Sequence, residues 1–213
     1  MCINSCTAYT GPLSDRETCP FCSAPCYNPV MLEQSAGKRK VAQQEFHTMP
    51  IGPQLQALYH SKESMEKMHY GEDKLDEIMR RFMVGMGGMA EYKDWCHGSD
   101  FLKAFSKNHL KKGDPVLMFS IDGAQLYHNK TSDCWMYIWV IFNFNPATHC
   151  YKKTAVLFSA VIPGPNKPKL LELFLFPGLH HLSAIQREGL LIWDASTRSF
   201  IIQIQSIFGT CNC

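Results

Sequence analysis

The chain opens on two short-spaced cysteine pairs, Cys2-x3-Cys6 and Cys19-x2-Cys22, separated by a turn-rich dozen residues. Thiolates are the soft ligands of tetrahedral zinc, and each pair is short enough to sit on one tight turn. Four such ligands would leave no open coordination position, so the chemistry expected here is structural. Metal binding on the order of 10 kcal/mol or more can fold a segment that has no core of its own. A cysteine-rich tail with accidental spacing is the alternative. Cys26 leaves the ligand set open, because it could replace Cys22 or stand free as a small hydrophobe.

A second candidate lies in FSIDGAQLY, Phe119 to Tyr127, where the strand-forming run VLMFSI ends in Asp122 and Gly123. A carboxylate at the end of a central strand faces the edge of the sheet, where it can bind a divalent ion such as magnesium without desolvation in the core. Gly123 would let the chain turn away and leave room beside the acid. The plainer reading is that Asp-Gly simply makes a turn. His180 and His181 are poor joint ligands, since adjacent helical residues point apart. Cys96, Cys134, Cys150, Cys211 and Cys213 show no useful pairing apart from the terminal CNC.

The totals exclude several classes. With 213 residues, 46% of them hydrophobic, the chain can bury a core, and a net charge of +2 gives no argument for nucleic-acid binding. Basic clusters at 38–40, 107–112, 152–153 and 167–169 read singly as solvated surface. No apolar run reaches membrane-spanning length, so no membrane partner is expected. The N-terminus lacks a basic segment followed by an apolar run. Ten cysteines then point to a reducing intracellular setting, nuclear or cytoplasmic rather than secreted.

Three zones must position these residues. Residues 1–30 are rich in Cys, Pro and turn formers. Residues 38–112 read as helices: one after Pro53 with a Leu55, Leu58, Tyr59 stripe, then Ser61–His69 and Glu72–Phe82, with a break at GMGGM. Ser61 gives a weak capping signal. From 113 the period changes to that of strands at Val116–Ile121, Cys134–Phe142 and Thr154–Ile162. PGPNKPK cannot be helix or central strand. Leu170–Glu188 reads as a helix interrupted at Phe176-Pro177-Gly178, and Leu190–Trp193 as a strand ending in Asp194. The expected fold class is α/β, with an antiparallel start to one layer.

The string SIDGAQLYHNKTSDCWMYIWVIF resembles the core signature of the Tnp2-type transposases of CACTA (En/Spm-like) DNA transposons. The likeness continues in FHTMPIGPQLQALYHSKESMEKMHY, VIPGPNKPK and FLFPGLHHLSAIQREGLLIWDAS, and CINSCTAYTGPLSDRETCPFC resembles that family's lead-in. It extends to about Ser199. The resemblance implies an RNase H-like domain that cuts transposon ends and joins them elsewhere, using three acids and two Mg2+ or Mn2+ ions. Asp122 matches the first of those acids. The expected organisation is a zinc-ribbon-like knuckle at 1–30, a helical region at 38–112, and an incomplete RNase H-like domain at 113–213 with a divergent tail at 200–213.

The family's second acid lies in a stretch resembling PFLALATADGP, which this chain does not contain. Asp194 is instead expected to satisfy backbone N–H groups at a turn or helix cap. The tail FIIQIQSIFGTCNC can be read as a reading-frame slip, testable on the DNA beyond the last codon. A lone carboxylate holds magnesium weakly and cannot place two ions, so the chain by itself is expected to be inactive. Loss of later elements would leave Trp135, Tyr137 and Trp139 without cover. A different class of function is a zinc-ribbon module that binds DNA or protein and modulates intact transposase. A product without a role is the third reading.

Overall fold

The structure is a computed structural model that describes residues 1–85, 95–111, 113–125, 133–149, 155–164, 166–203 and 206–210. The expected glycine break at 86–89, the polar connection at 128–132, Thr154, the cations at 112 and 152–153, and Cys150, Cys211 and Cys213 lie outside the described residues.

In chain order the elements are α1 (Pro29–Gln34), β1 (His47–Thr48), α2 (Ile51–Tyr59), α3 (Lys62–Met68), α4 (Tyr70–Met83), α5 (Ser99–Ser106), β2 (Val116–Gln125), β3 (Asp133–Ile141), α6 (Pro146–His149), β4 (Val156–Pro163), α7 (Leu171–Glu188), β5 (Leu190–Asp194), β6 (Ser199–Gln203) and β7 (Ser206–Thr210). The result is a mixed α/β fold. The three expected helices of the second zone form as α2, α3 and α4, and the Ser61 hydroxyl accepts the Ser64 N–H at 3.1 Å as a cap.

Among the described residues, five strands make the main sheet in the order β1-β4-β3-β2-β7. β2, β3 and β4 form an antiparallel meander, whereas β7 lies parallel to β2. Registers place Gly123, Trp135 and Ile162 in one cross-strand row, and Ala124, Cys134 and Pro163 in the next. β1 was not expected, since its neighbourhood reads as helical. It forms because Met49 precedes Pro50, which disfavours helix there. The backbone then pairs with β4, and Met49 N–H donates to Ser159 O at 2.8 Å.

One face of the sheet is the core. Leu117, Tyr137, Trp139, Ile141, Leu157 and Ala160 meet Ile51, Leu55 and Tyr59 of α2, Met65 and Met68 of α3, and Leu182 and Ile185 of α7. Tyr137 and Trp139 are therefore buried at 0% and 1% exposure, contrary to the expectation that they lack cover. Helices from before and after the sheet in the sequence close over them.

Two departures concern α7 and β5. The helix α7 runs without interruption through Pro177. Proline has no N–H, so the carbonyl of Leu173, four residues earlier, loses its helical donor. The Thr10 hydroxyl from the N-terminal segment donates to that carbonyl instead. The orphaned acceptor is thus satisfied from outside the helix. β5, for its part, does not enter the main sheet. It pairs with β6 as a separate two-stranded unit, its buried Ile192 set in the core beside α2 and its Leu191 carbonyl accepting from Gln56 Nε2 at 2.8 Å. The tail residues 199–203 and 206–210 are thereby strands, and β7 takes the place beside β2.

Candidate metal centre and the acid on the sheet

The N-terminal segment has few apolar residues, and its backbone is organised by local turns. Cys2 N–H donates to Thr7 O and Ser5 N–H to Cys2 O, both at 2.9 Å, which curls the first pair into a knuckle. Cys19 N–H to Ala24 O and Ser23 N–H to Cys19 O, again at 2.9 Å, do the same for the second. Each knuckle needs one residue in the left-handed region, Ser5 at φ 55 and Ser23 at φ 57. Non-glycine residues there carry a conformational cost that the surroundings must offset. Single antiparallel bridges at Thr18–Pro25 and Tyr27–Ala42 brace the second knuckle.

These turns bring Cys2, Cys6, Cys19 and Cys22 together, with all four sulfurs within 4.8 Å of one another. Cys2 Sγ and Cys22 Sγ are 3.5 Å apart. Tetrahedral zinc with bonds of about 2.3 Å would set its sulfurs about 3.8 Å apart, so the arrangement fits the ion. Cys26 is buried but is not part of the group. Burial pushes the Cys6 thiol up to about 12 and raises Cys2, whereas hydrogen bonds from Asn4 and the Ala24 backbone draw Cys22 down to about 6. Three cysteines are buried and Cys22 is exposed, so the site has one side toward solvent. The Phe21 N–H donates to Cys19 Sγ at 3.4 Å and Asn4 Nδ2 to Cys22 Sγ at 3.5 Å, as outer partners that favour thiolate.

The knuckle is tied to the sheet through residues outside the cysteine pattern itself. The carbonyl of Cys6 accepts both Lys169 N–H and Leu170 N–H at 3.1 Å, at the entry to α7. The Ser5 hydroxyl donates to Pro163 O at 3.2 Å. Gly164 has φ +138, and a Cβ there would stand 1.9 Å from Ser5 Oγ, so only glycine fits. The one available signal for this contact was the glycine set between two prolines in PGP.

Asp122 sits within β2, not at its end. It pairs with Met136, and Gly123, Ala124 and Gln125 continue the strand. The expectation of a turn at Gly123 is corrected. The missing Cβ makes room for the Trp135 ring, whose atoms would lie 3.3 Å from it, and the cross-strand ladder extends the strand. Asp122 is exposed and accepts the Gly123 N–H at 2.8 Å. Alternation along the strand sets it on the face opposite the core row. Pairing of β7 with β2 covers Val116 to Phe119, so Asp122 lies beyond the paired part. Among the described residues, the four cysteines are the only cluster of three or more potential metal ligands, and Asp122 has no such company.

Asp194 closes the turn between β5 and β6. Its Oδ1 accepts Ser196 N–H at 2.7 Å, Ser196 Oγ–H at 2.6 Å and Thr197 N–H at 3.2 Å. That is the turn role expected for it. His181 Nε2 accepts the Gly52 N–H at 3.2 Å in the first turn of α2, and the His180 ring stacks on Phe176 at 5.6 Å. The two imidazoles thus serve packing separately.

The chain matches the family model described as Transposase family tnp2 over residues 98–212, more than half of its length. The match passes through the tail, beyond the point near Ser199 where the sequence likeness was expected to stop. No curated protein and no solved structure matches the chain. Among the described residues, no helix is long and apolar enough to cross a membrane.

Proposed function

We propose, from the premise that this chain belongs to the tnp2 transposase family, that it derives from a DNA cleaving and strand-joining enzyme of CACTA-type elements and is inactive by itself. The parent reaction would use an RNase H-like sheet with three acids, Asp122 being the first. Support for the fold comes from the strand order β4-β3-β2-β7, an antiparallel meander followed by a helix and a strand parallel to the first. The observation that carries the proposal is Asp122 itself. It is exposed on β2, the strand between β3 and β7, inside the matched region and past the reach of β7.

Magnesium or manganese, when bound by the parent enzyme, would activate the attacking oxygen and stabilise the leaving one. This chain's contribution is one carboxylate that holds a position on a rigid strand. A single acid neither places two ions nor positions a nucleophile between them. The division into a knuckle at 1–30, helices at 38–112 and the transposase sheet at 113–213 belongs to this proposal. So do zinc at Cys2, Cys6, Cys19 and Cys22, transposon-end DNA as the parent's partner, and a nuclear or cytoplasmic location. A second reading rests on the cysteine cluster: a zinc-ribbon module that binds DNA or intact transposase and modulates it.

The test is a nicking and strand-transfer assay on duplexes bearing candidate element ends, with magnesium or manganese. No metal-dependent product is expected. Cleavage that disappears in Asp122→Asn would refute the claim of inactivity while upholding the role of the acid.

A further inference from the structure

The loop from Pro163 to Leu170 leaves β4 at the end of the sheet that carries Asp122. The registers fix this: Pro163 and Ile162 stand in the rows of Ala124 and Gly123. The four-cysteine knuckle is at the same end, bonded to the loop through Ser5 to Pro163 O, and through Cys6 O to the Lys169 and Leu170 amides. Asn166 Nδ2 adds a contact to Asn4 O at 3.5 Å, and Gln44 Nε2 one to Pro163 O at 3.2 Å. The fixed φ of Pro163 and Pro168 and these bonds leave the segment little conformational freedom.

The loop presents two exposed cations. Lys167 Nζ lies 5.6 Å over the Trp135 ring, and Lys169 Nζ lies 5.6 Å over the ring of Phe21 in the second knuckle. Among the described residues neither has a carboxylate partner, whereas Lys40, Lys62, Lys67, Lys74 and Lys103 each pair with an acid. Aromatic faces orient an ammonium without neutralising it. The charge of both lysines therefore remains available to an external anion, on a scaffold that costs little to order on binding.

We propose that the segment 166–170, clamped by the cysteine knuckle, is a phosphodiester-binding element that seats nucleic-acid backbone at the Asp122 end of the sheet. The proposal rests on the transposase reading for the choice of DNA, and assigns Lys167 and Lys169 as the contacts. The knuckle acts as the clamp, because Cys6, a candidate metal ligand, also holds the loop's last two amides.

The probe is a fluorescein-labelled duplex of mixed sequence, titrated by anisotropy with zinc-loaded full chain over a series of salt concentrations. Each phosphate contact contributes a slope of about −0.9 to log K against log salt. The double variant K167M/K169M keeps the apolar stems over the rings and removes the charges. It should make the slope shallower by about 1.8. K167R/K169R should retain the slope, and K62M/K103M, which removes acid-paired lysines, should leave it unchanged. Zinc removal should reproduce the loss seen in K167M/K169M. An unaltered slope in K167M/K169M, or no salt-dependent binding at all, overturns the assignment. An unaltered slope after zinc removal overturns the clamp. The salt slope reads the two lysines and the nicking assay reads Asp122, so failure at the lysines remains separate from failure of the cleavage reading.

Discussion

Replacing Thr10 by valine removes a hydroxyl that donates to the carbonyl of Leu173, the acceptor that Pro177 deprives of its helical partner. Valine keeps the branched shape, so the change is close to the loss of one donor. Leu173 is buried at 7% exposure, so little water reaches its carbonyl. Leaving such a group unpaired costs about 1–2 kcal/mol. The compensation depends on proline at position 177, so a double-mutant cycle isolates it. Pro177→Ala restores an N–H four residues after Leu173, which makes the Thr10 hydroxyl redundant. In that background Thr10→Val should cost less than about 0.5 kcal/mol, giving a coupling of roughly 1 kcal/mol between sites far apart in sequence. The assay is urea unfolding of all four proteins at fixed zinc, followed by far-UV circular dichroism. With a slope of about 2–3 kcal/mol/M, Thr10→Val in the parent background should lower the midpoint by roughly 0.5 M. Equal costs of Thr10→Val in both backgrounds would refute the compensation argument, and with it the reason that α7 tolerates Pro177.

Three further outcomes follow from named contacts. With the proposed zinc held by Cys2, Cys6, Cys19 and Cys22, its chelation should speed hydrogen exchange at the Lys169 and Leu170 amides, both held by Cys6 O, while β3 amides such as Tyr137 change little; exchange followed by mass spectrometry reads both. Gly164→Ala should destabilise by more than about 2 kcal/mol or prevent folding, since its Cβ would stand 1.9 Å from Ser5 Oγ at φ +138, and thermal unfolding measures this. Burial alone would raise the Asp194 carboxyl, but hydrogen bonds from Ser196 and Thr197 outweigh it and hold the group below its ordinary value. Its contribution is present above the unfolded pKa of about 3.9 and is lost as pH falls through the lower folded value. Asp194→Ala should therefore reduce stability at neutral pH by about 1–3 kcal/mol and flatten the acid limb of the stability profile. A pH titration of the urea midpoint reads both effects.

The local features were legible in the residues alone. Paired cysteine spacing encodes knuckles because three or four residues make a turn whatever surrounds it, and Cys2, Cys6, Cys19 and Cys22 do converge. The β-branched and aromatic runs became β2, β3 and β4, and the Leu55, Leu58, Tyr59 stripe became the inner face of α2. What the tertiary structure decided lay in contacts between distant segments. Pro177 breaks a helix on local grounds, and only the Thr10 hydroxyl, 163 residues away from Leu173, makes the continuous α7 tolerable. Asp-Gly makes a turn on local grounds, and only the Trp135 ring over Gly123 and pairing to β3 keep Asp122 inside a strand. β5 reads as the next strand of the layer, yet α2 holds it apart and β7 takes the place beside β2. Period and spacing follow from backbone geometry shared by every chain, whereas the fate of an unpaired carbonyl or an open strand edge depends on which far partner packing brings within reach.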